Sequence, residues 1–509
     1  MAGEIRSGGR MLALAQVQER AARAATGFES LGIGDGDTVA ILLRNDVPLF
    51  EASLAAQQLG AFATPINWHG KPEEIGYILS DCGARVLVAH ADLLAGAAGV
   101  VPHGVTVFAV ATPPEVRDAY GVPPASCLVP GHATEWERWL AGCLPRSVPP
   151  LAARASMIYT SGTTGHPKGV RRRPAAGVFQ ERRFLALREC WGFTQDMRCV
   201  MTGPMYHSAP NAYGLAAVHF NATIVLQPRF DAEELLALIQ EHRITHMHIV
   251  PTMFVRLLRL PEQVRGRYDV SSLRWVIHGA APCPREIKKA MIAWWGPVIH
   301  EYYGSTEGGV ITCSASREWL ERPGTVGRPA PLVQVRVLDE QGQPAPAGVS
   351  GTIYSRNEAL PEFTYHGLDG KRREIDRDGF ITSGDIGYLD GDGYLFLNDR
   401  KIDMVISGGV NIYPAEIEAT LLNMPGIQDC AVFGIPDEEF GEAVAAAVQA
   451  VPGAGLTPEA VQAHVRQHLA DFKVPRVVEF LTDLPREDSG KIFKRKLREP
   501  FWKNAGRAI

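Results

Sequence analysis

The sequence predicts an α/β protein: a large N-terminal domain of βαβ sheets over residues 1–399, with a β-rich subdomain at about 324–399, and a small α+β C-terminal domain over 400–509. Short β-branched runs that alternate with helical patterns predict the sheets. From about Gly324 the runs become short and are separated by Gly, Pro and Asp, which predicts antiparallel pairing. A third texture begins near Asp399–Asp403. A chain of 509 residues is long enough for about three domains at roughly 150 residues each.

In chain order, Leu12–Leu31 reads as an amphipathic helix, and Thr38–Leu42, Arg85–Ala89, Ala222–Gln227, Ile244–Val250, Leu273–His278 and Val298–Tyr302 read as strands of a parallel sheet. Ala155–Thr160 is another apolar run, and it ends in a Gly/Ser/Thr cluster. A polar loop therefore leaves a strand end, where α/β sheets usually bind ligands. Leu332–Leu338, Gly351–Ser355 and Tyr394–Asn398 are the antiparallel strands. The C-terminal unit takes a helix at Tyr413–Leu422, opened by Pro414 with Glu416 in its first turn. Strands at Cys430–Gly434, Ala443–Ala450 and Val477–Leu481 and a helix at Thr457–Leu469 complete it.

Composition excludes several classes. Hydrophobic residues make up 46% and charged residues 21%, ordinary globular usage. Lys and Arg number 51 against 56 Asp and Glu, so no field of one sign is available to hold nucleic acid. No run approaches the ~18 to 20 apolar residues of a membrane span, and Met1–Arg10 is polar and glycine-rich rather than a signal sequence. A cytoplasmic protein is expected, and a homodimer is compatible with this surface. The eight cysteines never fall two apart, so they read as reduced and mostly buried. His219, His242, His246 and His248 resemble a metal set, but His246 and His248 sit inside a strand-like run, which explains them without metal.

The densest signal is Tyr159-Thr160-Ser161-Gly162-Thr163-Thr164-Gly165-His166-Pro167-Lys168-Gly169. Glycines let main-chain N–H groups converge, hydroxyls add donors and Lys168 adds a point charge, which makes a nest for a polyphosphate. It is not a Walker loop, because Lys168 is followed by Gly169.

This loop resembles the phosphate signature of the adenylate-forming superfamily, which holds acyl- and aryl-CoA synthetases, adenylation domains and luciferases. The closest likeness is to fatty- or aryl-acid CoA ligases. Tyr303-Gly304-Ser305-Thr306-Glu307 is similar to its Tyr-Gly-x-Thr-Glu segment. The resemblance implies that the ring stacks on adenine, Thr306 meets a phosphate and Glu307 holds Mg²⁺. It adds Tyr302 and His278-Gly279-Ala280-Ala281-Pro282 as lining of the nucleotide site, and Asp385 and Arg400 on the ribose. Pro485 to Lys491 resembles the terminal segment whose lysine, here Lys491, enters the site for adenylation.

The implied fold is that of adenylate-forming enzymes with a mobile C-terminal domain. The implied reaction uses ATP and Mg²⁺ to convert a carboxylic acid to acyl-AMP with release of pyrophosphate, then transfers the acyl group to CoA and releases AMP. Lys491, Thr306, Glu307 and Lys168 carry the catalysis, by preorganised charge rather than an enzyme nucleophile. Rotation about Arg400, Lys401 and Ile402 would exchange Lys491 for a face at Ser407, Gly408 and Gly409, with Phe440, Lys473 and Arg476 beside the CoA nucleotide. Tyr206, His207, Asn211, Ala280, Gly304 and Val310 line the implied acyl pocket. Its apolar character disfavours a second charge on the acid.

Three departures stand out. Ile402 occupies a hinge position where Asp or Lys is usual, and Val410 stands where Glu often does. Arg171-Arg172-Arg173 replaces a hydroxyl residue and His; these arginines face either CoA phosphates or, more plainly, solvent. Two other functions remain open: acyl transfer to a carrier protein in trans, and nucleotide binding without turnover. Intact Thr306, Glu307 and Lys491 count against the second.

Overall fold

The computed structural model describes residues 3–160, 167–175, 177–400, 403–407, 410–437, 440–486 and 492–503. The chain divides into two compact units. One comprises Met1–Pro323, Pro329–Gln334 and Arg356–Ile381, the other Gly324–Arg328, Val335–Ser355 and Thr382–Ile509.

The first unit contains two largely parallel sheets. Phe62–Pro65, Thr38–Leu42, Ala84–His90, Thr106–Val110 and Thr134–Glu135 lie side by side, all parallel. The other sheet takes Thr223–Leu226, Arg198–Met201, His246–Ile249, Trp275–His278 and Ile299–Ser305 in that spatial order, again parallel. Its strands are apolar on both faces, as helix-covered sheets require. Phe254, Met247, Val276 and Met291 sit in the core between this sheet and its helices.

The helix at Leu14–Ser30 buries Val17, Ala21, Ala24 and Phe28, a stripe at helical spacing. Ahead of it the sequence signal is too polar to show a strand, yet Glu4–Ser7 and Arg10–Ala13 form a hairpin, and Glu4–Ser7 adds parallel to Thr223–Leu226. Side-chain charge holds this hairpin. Ser7 and Arg10 donate to Glu115, and Arg10 pairs with Asp46 at 2.6 Å. Asp46 in turn caps the helix Val47–Gln58 by accepting from the Val47 N–H.

A third, small sheet joins Ile158–Thr160, Lys168–Arg172 and Phe363–Tyr365, all antiparallel. It brings a segment from nearly 200 residues downstream against the hairpin that carries Lys168.

In the second unit, Thr325–Pro329, Leu395–Arg400, Asp385–Leu389 and Gly351–Asn357 pair in that order. A separate sheet joins Val410–Ile412, Val405–Ser407, Gly441–Ala450 and Ile427–Asp437, with Val477–Phe480 parallel to Gly441–Ala450. The helices Pro414–Leu422 and Pro458–His468 cover it, and Thr457 caps the latter by accepting from Ala460 N–H.

All eight cysteines are free thiols and five of them are buried. Among the described residues no helix is long and apolar enough to cross a membrane.

Candidate active site

The strand Ile299–Ser305 ends in the motif that runs on to Glu307, and it turns back as Gly309–Ser314. The register shifts between Tyr303 and Gly304, and Gly304 faces Val310. A Cβ on Gly304 would lie 2.1 Å from the Gly309 carbonyl oxygen, so only glycine lets the two backbones pass. Ser305 Oγ accepts from the Gly308 N–H at 2.8 Å, which tightens the turn. Thr306 Oγ1 donates to Ser208 Oγ at 3.1 Å, where the helix Ser208–His219 begins.

Strand alternation divides the two tyrosines. The Tyr302 ring is buried against Trp191, with its hydroxyl hydrogen-bonded to His248 Nε2 at 3.0 Å. Tyr303, on the other face, is half-buried. Gly279 packs on Tyr302, since a Cβ there would meet the ring at 2.5 Å, and Ala280 follows in the left-handed region at φ 66°. Ala281 and Pro282 lead to the helix Arg285–Trp295, whose buried Lys288 pairs with Glu301 at 2.5 Å. Burial raises the Glu301 carboxyl above its ordinary value, and the lysine opposes this.

Lys168 and Glu307 come together around a residue that no motif marked. The Tyr365 ring lies 5.6 Å from the Lys168 ammonium, and its hydroxyl donates to Glu307 Oε1 at 3.0 Å. Burial first, and then the Glu307 charge, raises the Tyr365 phenol. Arg172, expected from the sequence to face CoA phosphates or solvent, also comes here. Its guanidinium donates to the carbonyls of Thr306 at 2.9 Å, Glu307 at 2.6 Å and Pro361 at 3.0 Å. Desolvation lowers it to about 10, and the Glu307 charge offsets part of this. Arg172 therefore does not belong to a solvated charge run.

Of the other residues expected at an acyl pocket, Tyr206 and His207 lie on the loop before the helix Ser208–His219 and Asn211 lies in its first turn. Tyr206 is buried with its ring 4.4 Å from that of His207, and Asn211 donates to the Met205 carbonyl at 2.9 Å. Buried Asn45, also unmarked in the sequence, holds this loop by donating to Gly203 O and accepting from Met205 N–H, both at 2.9 Å. His248 is lowered to about 4, by burial first and then by the charge of His207.

His246 has structural partners, Gly192 O at 2.9 Å and Thr245 Oγ1 at 2.6 Å. Among the described residues no group of three or more His, Cys, Asp or Glu side chains could hold a metal ion.

In the second unit, Asp385 is buried and stands directly across the ladder from Arg400. Ser407 faces both Val410 and Gly441 in its sheet. The Arg476 guanidinium lies 4.9 Å over the Phe440 ring and pairs with Asp437, while Lys473 pairs with Glu416 at 2.6 Å. A backbone bridge between Arg486 and Ile492 closes the stem of the segment that carries Lys491. Ser161, Gly162, Thr163, Thr164, Gly165, Lys401, Ile402, Gly408, Gly409 and Lys491 lie outside the described residues. Thr160 stands beside that gap, paired with Lys168.

Known proteins are similar to this chain in sequence and in fold. The AMP-binding enzyme family matches residues 4–361, and the AMP-binding enzyme C-terminal domain matches residues 416–491. Feruloyl-CoA synthase of Amycolatopsis sp is 32% identical over 502 residues, 98% of this chain and 95% of that one. The fatty acid–[acyl-carrier-protein] ligase ScoC of Streptomyces coeruleorubidus is 32% identical over 524 residues, 98% of this chain and 94% of that one. Among solved structures, ATP-bound MatB from Rhodopseudomonas palustris superposes with a TM-score of 0.84 at 29% identity, covering 99% of this chain and 97% of that one.

The family match, the relatives and the fold make this an adenylate-forming ligase, an enzyme that makes thioesters and uses ATP, Mg²⁺ and CoA. The chain belongs to the AMP-binding enzyme family.

Proposed function

We propose that this enzyme activates an apolar carboxylic acid, fatty or aryl, as its acyl adenylate and passes the acyl group to CoA. The meeting of Lys168 and Glu307 at Tyr365 carries this reading. An acid cannot acylate a thiol directly, because its leaving group would be oxide. Attack of the acid's carboxylate on the α-phosphorus of ATP expels pyrophosphate and gives AMP as the later leaving group.

Negative charge spreads over phosphoryl oxygens in that step, and fixed positive groups lower its barrier. Lys168, with Thr160 and the loop Ser161 to Gly165, would cradle the outer phosphates, and Lys491 would meet the transferring centre. Tyr303 would stack on adenine beside Gly279, Ala280, Ala281 and Pro282. Glu307, oriented by Tyr365, would hold Mg²⁺, a hard cation that needs only one or two protein carboxylates because phosphates and water complete its shell. The ion would supply charge neutralisation across the phosphates. The cross-strand placement of Asp385 and Arg400 supports their shared role at the ribose.

Thiol attack requires Lys491 to leave. We assign that exchange to rotation of a C-terminal domain beginning near residue 400, which would bring Ser407 and its neighbours to a pantetheine channel and Phe440, Lys473 and Arg476 toward the CoA nucleotide. The apolar setting of Tyr206, Asn211, Ala280, Gly304 and Val310, with His248 kept neutral behind them, supports an acid with one charge. A cytoplasmic location fits the free thiols.

A second reading, transfer to a carrier protein, is favoured by the likeness to the Streptomyces carrier-protein ligase. Supplying CoA or a pantetheinylated carrier as acceptor separates the two. Saturating ATP with Mg²⁺ is expected to raise the melting temperature, since a ligand that binds only the folded state stabilises it. No rise at saturation contradicts the assigned phosphate site.

A further inference from the structure

The arginine run after Lys168 is not absorbed by this mechanism. Arg171 and Arg173 alternate to the opposite face of the strand from Lys168 and Arg172, and Arg171 stands across from Thr364. Arg171–Arg173, at the end of this strand, border a cavity of about 700 Å³ within the first unit. Its walls include six arginines, Arg154, Arg171, Arg172, Arg173, Arg372 and Arg373, against three carboxylates. Small-ligand sites span about 300–1,000 Å³.

These arginines are positioned in advance. Arg154 and Arg171 stack on Phe62 at 5.1 and 4.7 Å, and Arg172 and Arg372 on Phe363 at 5.5 and 5.0 Å. A guanidinium stacked by its face keeps its N–H edge for a bidentate anion. Arg154 spends that edge on Asp35 and Arg372 on Asp376. Arg173 pairs with Glu362 and Arg172 donates to backbone carbonyls, whereas Arg171 and Arg373 have no carboxylate partner among the described residues; Arg171 Nη1 meets His366 Nδ1 at 3.0 Å. Burial, and then the neighbouring Arg154 charge, lowers Arg171 below its ordinary value, a cost that a bound anion would relieve.

We propose that this cavity is a second binding site, for a small, multiply charged phosphate compound, separate from the ATP site. A single carboxylate would meet one guanidinium, whereas a pyrophosphate or bisphosphate group can bridge Arg171 and Arg373, the two that lack a carboxylate.

The test is calorimetric titration of the full chain with its ATP site filled by a non-hydrolysable ATP analogue and Mg²⁺. Inorganic pyrophosphate and adenosine 3′,5′-bisphosphate are titrated in separate arms, which distinguishes a free inorganic anion from the phosphate end of a nucleotide. At least one is expected to add a further equivalent, with affinity falling steeply as salt rises. Arg171→Gln combined with Arg373→Gln should weaken it at least tenfold and leave analogue binding unchanged. Arg373→Gln alone, at an exposed position, should weaken it about threefold. No further equivalent in either arm, or unchanged affinity in both variants, would overturn the proposal.

Discussion

Tyr365 donates its hydroxyl to a Glu307 carboxylate oxygen at 3.0 Å while its ring lies 5.6 Å from the Lys168 ammonium. One side chain thus orients an acid and seats a base drawn from two distant segments. Among the described residues no further hydrogen bond engages the other Glu307 oxygen or the Lys168 ammonium.

Tyr365→Phe keeps the ring under Lys168 and removes only the hydrogen bond. A hydrogen bond to a charged group contributes about 1.5–3 kcal/mol, so the KM for MgATP should rise about tenfold or more. Steady-state kinetics with MgATP as the varied substrate checks this. Thermal stability should fall by no more than the same about 1.5–3 kcal/mol.

Gly304→Ala places a methyl group 2.1 Å from a backbone oxygen that cannot move without breaking the turn. Overpacking of this kind costs about 1–3 kcal/mol. The variant should melt earlier and lose ATP binding, as read by thermal denaturation and nucleotide titration.

Lys288→Met leaves Glu301 buried without its cation, which costs about 3–5 kcal/mol. Adding Glu301→Leu should recover most of the loss, because an apolar pair of similar volume avoids desolvation of both charges. Denaturant titration of the single and double variants decides this, and a double variant as weak as the single one contradicts it.

The strands of the parallel sheets were legible because buried β-branched runs have no competing pattern, as at Thr38–Leu42 and Trp275–His278. The hairpin Glu4–Ser7 and Arg10–Ala13 was not, since ion pairs from Arg10 to Asp46 and Glu115 hold polar residues that propensity disfavours. At the site, contiguous motifs were legible, as at Thr306 and Glu307. Tyr365 and Asn45 were hidden, and Arg172 was read only as part of a charge run, because each acts through contacts from remote parts of the chain. Period-two alternation of Phe363 and Tyr365 was the one available signal, and it marks a half-buried strand rather than a role.

Acid should destabilise the protein in a defined window. The His248 imidazole has an ordinary value of 6.5 and is lowered to about 4 by burial. Below pH 6.5 the unfolded chain takes up a proton that the folded chain refuses until about pH 4, so stability is full above that window, falls through it and levels off below. This group contributes up to about 3 kcal/mol. Melting curves from pH 7 to 4 should fall less steeply for His248→Phe than for the wild type.

The most direct test of the central claim measures AMP and pyrophosphate released from MgATP across a panel of fatty, aryl and steroid-side-chain acids, for the wild type and Lys491→Ala. At least one apolar acid should release both from the wild type. Lys491→Ala should release neither, yet still convert supplied acyl adenylate and CoA to the thioester. Failure of every acid to yield AMP, or equal loss of both half-reactions in the variant, would contradict the account.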